Sequence, residues 1–261
     1  MKPYLNVPLA LCEHVCHNNE FQAFTAYLGL QMSSAGILGL KQANHLLGAL
    51  PGLSSQPSRR KVLKQLINIG WIGFDDNQRV IHIRSMRRIC LKMGLSNSKV
   101  LRLNQADLQH VKYFIYAALL NAKLIQQQYA IKRQSSRIPV AIKSDATQPG
   151  SYPGLGKFGL GLLFKCSPTK ALRIKEKCSN LGYIRVHKRI RKIMTITQAD
   201  YNMSPYLKDI YPEKRFLLRF RKNPQSGMID VFEQLKDEIV PLMKIKKRGK
   251  GRYNGIRLIK N

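Results

Sequence analysis

The sequence predicts a mainly α chain with small β-hairpins, an α+β fold in which helices carry most of the core. Apolar residues recur at spacings of three and four through long stretches, the period of a buried helix face. Apolar runs of strand type are short and follow helices in pairs. The same succession of signals also occurs twice, 112 residues apart, as an internal duplication would leave it. For 261 residues this predicts more than one compact body. The expected division is 1–104, then 105–200 with a long basic loop at 129–157, then a C-terminal extension over 201–261.

The clearer copy is Ser167 to Ile196. Ser167 can cap a helix, and Pro168 stands at the first helical position, where a missing N–H costs nothing. Ala171, Ile174, Cys178 and Leu181 mark its buried face. Gly182 ends it, because glycine takes the positive φ that a stopping helix needs. Two apolar runs follow, Tyr183 to Val186 and Ile193 to Ile196, with Lys188-Arg189-Ile190-Arg191-Lys192 between them. These read as a hairpin with a basic tip.

The other copy starts at Ser54-Ser55-Gln56-Pro57, with Val62, Leu66 and Ile69 as its stripe, widened by Leu63 and Ile67. It ends in Gly70-Trp71-Ile72, followed by Phe74, a turn at Asp75-Asp76-Asn77 and a strand from Arg79 to Ile83. Setting Gly70-Trp71-Ile72 on Gly182-Tyr183-Ile184 puts Val62 on Ile174, Leu66 on Cys178 and Ile69 on Leu181. Helix, Gly-aromatic-Ile, then hairpin resembles the winged helix-turn-helix. The resemblance covers about half the chain and implies two tandem winged-helix domains.

Before the first copy, Phe21 to Gly36 and Leu38 to Leu50 read as helices, closed by Pro51-Gly52. Between the copies, Ser85 to Lys92 reads as a short basic helix, Gly94 as a break and Val100 to Leu103 as a strand. Asn104 with Asp107 resembles a capping box. The helix it starts has Leu108, Val111, Ile115, Ala118, Ala122 and Ile125 on one stripe, widened by Phe114, Tyr116 and Leu119, and so belongs in a core. Gly154 to Gly159 matches G-x-G-x-x-G, but Pro149 and Pro153 stand where a dinucleotide fold needs a strand. An entry into a helix at Leu160 to Lys165 is expected instead. Tyr201 to Asn223 reads as irregular. Met228, Phe232, Leu235, Ile239 and Leu242 recur at four, three, four, three and predict an amphipathic helix. That helix either docks on the protein's own core or forms a homodimer seam. The tail from Lys246 reads as a basic arm.

The formal charge is +31, and the excess is +9 over 1–105, +13 over 106–200 and +9 over 201–261. So cationic a chain needs a polyanion partner, and nucleic acid is the expected one. No apolar run approaches the roughly 18 residues that span a bilayer, so no membrane segment is expected. Five cysteines without framework spacing fit reduced thiols and a cytoplasmic setting. Cys12, His14, Cys16 and His17 lie too close together to wrap one tetrahedral ion, so no metal is expected there. Fourteen carboxylates, mostly scattered, offer no nucleophile–base or metal constellation. No enzymatic activity and no cofactor are therefore expected. An aromatic stacking platform for RNA is not visible either.

Turning each repeated helix away from its apolar stripe exposes Arg60, Lys61, Lys64 and Asn68 in one copy, and Thr169, Lys170, Arg173, Glu176 and Lys177 in the other. The resemblance implies that these helices enter the major groove. Arg and Lys suit guanine there, Asn suits adenine, and a carboxylate suits the cytosine amino group. Lys188, Arg189, Arg191 and Lys192 would clamp phosphates, whereas Asp75 and Asp76 would repel them. Tandem winged helices without a ligand-sensing domain resemble plasmid and phage replication initiators. That implies double-stranded DNA and host replication proteins as partners. A transcription regulator on the same scaffold, and an architectural or genome-packaging protein without sequence preference, are the competing expectations.

Overall fold

The computed structural model describes residues 3–34, 36–135, 155–188, 190–202, 218–234 and 237–247. The fold is mixed α and β with small antiparallel sheets. Contacts divide it into two compact units. One comprises Met1–Lys123, Gly161–Ile184 and Leu242–Asn261, the other Leu124–Leu160 and Arg185–Pro241.

In the first unit, β1 (Tyr4–Pro8) runs antiparallel to β5 (Lys99–Asn104), with Leu5 opposite Leu103 and Val7 opposite Leu101. All four are buried, as alternate residues of a one-sided sheet should be. Between these strands lie α1 (Leu9–Asn18), α2 (Phe21–Ser33), β2 (Ile37–Gly39), α3 (Leu40–Gly48), α4 (Gln56–Asn68), β3 (Ile72–Asp75), β4 (Val80–Ile83) and α5 (Met86–Lys92). The three strands after β1 form one antiparallel sheet in the order β2-β4-β3. β1, α1 and β2 were not expected; α2 stops at Ser33, short of Gly36, and β2 takes the first residues of the helix predicted from Leu38. α2 is buried nearly all round, from Ala23 to Leu30. Its Phe24 and Tyr27 rings meet Trp71 edge-on, at 5.8 and 5.4 Å between centroids.

Beyond β5, Asp107 Oδ2 accepts the Asn104 N–H at 2.7 Å, as the capping pattern predicts. The helix opens as a 3-10 turn (Gln105–His110) and continues as α6 (Val111–Ser135). Helix therefore replaces the first residues of the basic loop predicted over 129–157, and 136–154 lie outside the described residues. α7 (Lys157–Phe164) and α8 (Pro168–Asn180) follow. Asn121 is fully buried in α6. Its amide Nδ2 donates to Ala117 O at 2.7 Å, and its Oδ1 accepts the Met243 N–H at 3.0 Å. The side chain thus holds the segment leading into β11 (Ile245–Lys247), which pairs with β5. Asn121→Ala should cost about 1–3 kcal/mol, since it strands a partly buried N–H. A urea melt reads this, and a change under 0.5 kcal/mol would show that the amide holds nothing.

In the second unit, β7 (Ile190–Ile196), β9 (Ile229–Gln234) and β8 (Leu218–Lys222) form a sheet in the order β7-β9-β8. Ile196, Ile229 and Val231 are its core, with Met194 and Phe220 packed against them. β6 (Ile184–His187) pairs with β10 (Glu238–Pro241). α9 (Gln198–Asn202) runs into the stretch from Tyr201 to Asn223 where irregular chain was expected, and β8 lies within it.

Two expectations are overturned here. The amphipathic helix predicted over 228–242 is absent, and β9 and β10 occupy its place. Ile229 and Val231 are β-branched and alternate, and Pro241 opposes a helix running on to Leu242. A homodimer seam on that helix loses the element that was to carry it. The hairpin predicted from 183–186 and 193–196 is also not formed, because β6 and β7 take different partners. Lys188-Arg189 lacks the Gly or Asn that a two-residue hairpin turn requires. β7 instead pairs with β9, where Ile196 lies opposite Ile229 and both are buried.

Candidate nucleic-acid interface

α4 and α8 are built alike from end to end. Each has thirteen residues. Ser55 and Ser167, 112 apart, cap them by accepting the N–H of Ser58 and of Lys170, each at 3.4 Å. At the far ends Ile69 and Leu181 donate to Gln65 and Lys177, and Gly70 and Gly182 donate to Ile67 and Ser179. Trp71 and Tyr183 then reach back to Leu66 and Cys178. Both glycines have φ of +74°, which a side chain would strain. The aromatic after each glycine also packs edge-on against the preceding long helix. Trp71 does so on Phe24 and Tyr27, and Tyr183 on Phe114 at 6.0 Å. Tyr183 differs in donating its hydroxyl to Asp107 Oδ1 at 2.8 Å. Burial, then the neighbouring carboxylate, push that phenol's pKa up.

The buried faces are Val62, Leu63 and Leu66 in α4, and Ala171, Ile174 and Cys178 in α8. Arg60, Lys61, Lys64 and Asn68 are all exposed on the first helix, and Thr169, Lys170, Arg173, Glu176 and Lys177 on the second. Both helices lie in the first unit. Arg59, next to this face, is used internally. Its Nη1 donates to the carbonyls of Leu53 and Ser54, fixing the linker that enters α4.

Residues 188–192 lie in the second unit. Lys188, Arg191 and Lys192 are exposed, and Arg189 lies outside the described residues. Lys192 Nζ is 2.6 Å from Asp230 Oδ1, which also accepts the Thr195 hydroxyl at 2.9 Å. These two bonds hold the Asp230 carboxyl below the usual range. Lys192 is thereby partly neutralised, which the sequence did not suggest, since Asp230 lies 38 positions away. In the other tip, Asp75 Oδ1 accepts the N–H of Asn77 at 3.0 Å and of Gln78 at 3.3 Å. That acid shapes the turn.

The metal candidates point different ways. Cys12 and Cys16 are buried. Burial pushes the Cys16 thiol up to about 11 and Cys12 higher still, away from the thiolate a metal needs. His14 faces Glu20 at 3.5 Å. Among the described residues, no three His, Cys, Asp or Glu side chains gather as a metal site. No described helix is long and apolar enough to cross a membrane.

No family model, no curated protein and no solved structure matches this chain. The candidate interface therefore rests on its own geometry. Sequence reasoning found a basic helix over Ser85 to Lys92 but did not join it with Arg84 into the second basic cluster of the first unit, Arg84, Arg88 and Lys92. Its signal was present, because no carboxylate occurs from 77 to 106.

Proposed function

We propose that the protein binds double-stranded DNA in a sequence-specific manner through tandem winged helices. Its expected role is that of a replication initiator or a transcription regulator of a mobile element. The observation that carries the reading is the matched pair α4 and α8. They have the same cap, length, stop and aromatic anchor, and each turns polar and mostly cationic side chains outward. The first copy also has the order of a winged helix: α2, β2, α3, α4, then the hairpin β3–β4 with β2 alongside. The second departs from it in the strands after α8, so its recognition helix, without a wing, is the expected contact.

Charge spread evenly along the chain favours a second reading, an architectural protein that touches only the backbone. Glu176 separates the two, because a carboxylate gains nothing on phosphates but can read a base. Selection from random duplexes should return one motif a few base pairs long. Arg173→Ala should cost about 1–3 kcal/mol on the best site and relax one position. Glu176→Ala should strengthen binding to random DNA while weakening discrimination at a cytosine. No motif, with Glu176→Ala improving all sequences by one factor, discards the sequence-specific reading.

A further inference from the structure

Gly70 closes α4 with φ of +74°, and two cations converge over it. A Cβ placed there would lie 2.8 Å from Lys92 Nζ and 3.4 Å from Arg84 Nη1. Beside them opens a cavity of about 460 Å³ lined by Arg84, Arg88, Leu91 and Lys92. Three of its four lining residues are cations. From 21 to 106 the chain has twelve Lys or Arg and only Asp75 and Asp76 as acids. Asp75 is engaged in the turn. The C-terminal carbonyls of α4 account for one nearby cation through the helix dipole. Three cations with no carboxylate among them leave positive potential that an anion would relieve.

The backbone that carries Arg84 is held in place. Arg84 donates its N–H to Trp71 O at 3.1 Å, and its carbonyl accepts Tyr27 Oη and Gln31 Nε2, each at 2.8 Å. Arg88 and Lys92 stand one turn apart on α5 and are exposed. Leu91 beside them is 81% exposed, so the cavity is open to something larger than a free ion. Ten residues separate Arg60 from Gly70, roughly 15 Å of helix axis. The major groove is about 12 Å wide. A helix whose first turns read bases brings its far end to the phosphates at the groove's rim.

We propose that Arg84, Arg88 and Lys92 form a phosphate clamp that holds the DNA backbone at the C-terminal end of α4. The clamp rests on the DNA-binding reading above. It supplies the first copy with the backbone contact that Asp75 and Asp76 deny to its hairpin tip.

The test uses the full chain and a labelled duplex, titrated from 50 to 200 mM salt. Arg88→Gln with Lys92→Gln removes two exposed charges from the clamp. Lys41→Gln with Lys99→Gln removes two exposed charges elsewhere. Emission from Trp71, the chain's one tryptophan, reports whether each variant stays folded. The clamp pair should flatten the log–log salt slope by about 2 and cost about tenfold or more at 50 mM, on every sequence alike. The control pair should move the slope by less than half as much. Equal effects of the two pairs would overturn the clamp while leaving DNA binding intact. Inorganic phosphate that binds below millimolar and is lost in the clamp pair, with the DNA slope unmoved, would assign the site to a free anion and also overturn it. No duplex binding by the unaltered chain would remove both the clamp and the reading it rests on.

Discussion

Affinity for duplex DNA should fall by roughly a thousandfold or more between 50 and 200 mM salt, the effect of six to ten phosphate contacts. Each neutralised phosphate releases condensed counterion, so the slope counts contacts directly. The first unit offers exposed Arg60, Lys61 and Lys64 on one helix, and Lys170, Arg173 and Lys177 on the other. Few carboxylates compete for them. Across 188–192 the count is smaller than the sequence suggests, because Lys192 is shared with Asp230. An anisotropy titration at four salt concentrations gives the slope. Micromolar or weaker binding at 50 mM would sink the nucleic-acid reading, and tight binding with a slope near zero would rule out contact through phosphates.

What the sequence conveyed was local. A serine cap, an apolar stripe and a glycine stop each depend on hydrogen bonds within a few residues, so α4 and α8 could be bounded closely. The aromatic after each glycine was legible for the same reason. Strand pairing depends on partners far away in the chain. Nothing near 190 announces that β7 will join Ile229 and Val231 instead of β6. Over 228–242 apolar residues at both parities fit the spacing of a helix, and only the β-branched Ile229 and Val231 and then Pro241 argued against it. Leu5 and Val7 do alternate, but Pro3 and Pro8 bracket the run, and a proline interrupts the pattern of a strand. The Arg84–Arg88–Lys92 cluster joins a strand end to a helix face, so a basic helix over Ser85 to Lys92 was legible, but not that Arg84 and Lys92 meet over Gly70.

Trp71→Ala should cost the fold about 3–5 kcal/mol, the usual range for emptying a buried indole site. The ring is 1% exposed and meets both Phe24 and Tyr27 edge-on. Its position is fixed from two sides, since its N–H donates to Leu66 and its carbonyl accepts from Arg84. Tyr27 beside it is tied by its hydroxyl to the Arg84 carbonyl at 2.8 Å and resists collapse into the cavity, which places the cost high in the range. A domain has only about 5–15 kcal/mol in hand, so this variant should stand close to unfolding. Trp71→Phe should cost less than half as much. The indole Nε1 has no hydrogen-bond partner among the described residues, so removing it orphans no acceptor, and most of the aromatic contact survives. Urea melts followed by far-UV circular dichroism read both variants, because the substitution removes the fluorophore. A loss below 1 kcal/mol for Trp71→Ala would mean that this cluster does not hold α4 against α2. The matched geometry at Tyr183 would then lose its meaning as a second anchor of the same kind.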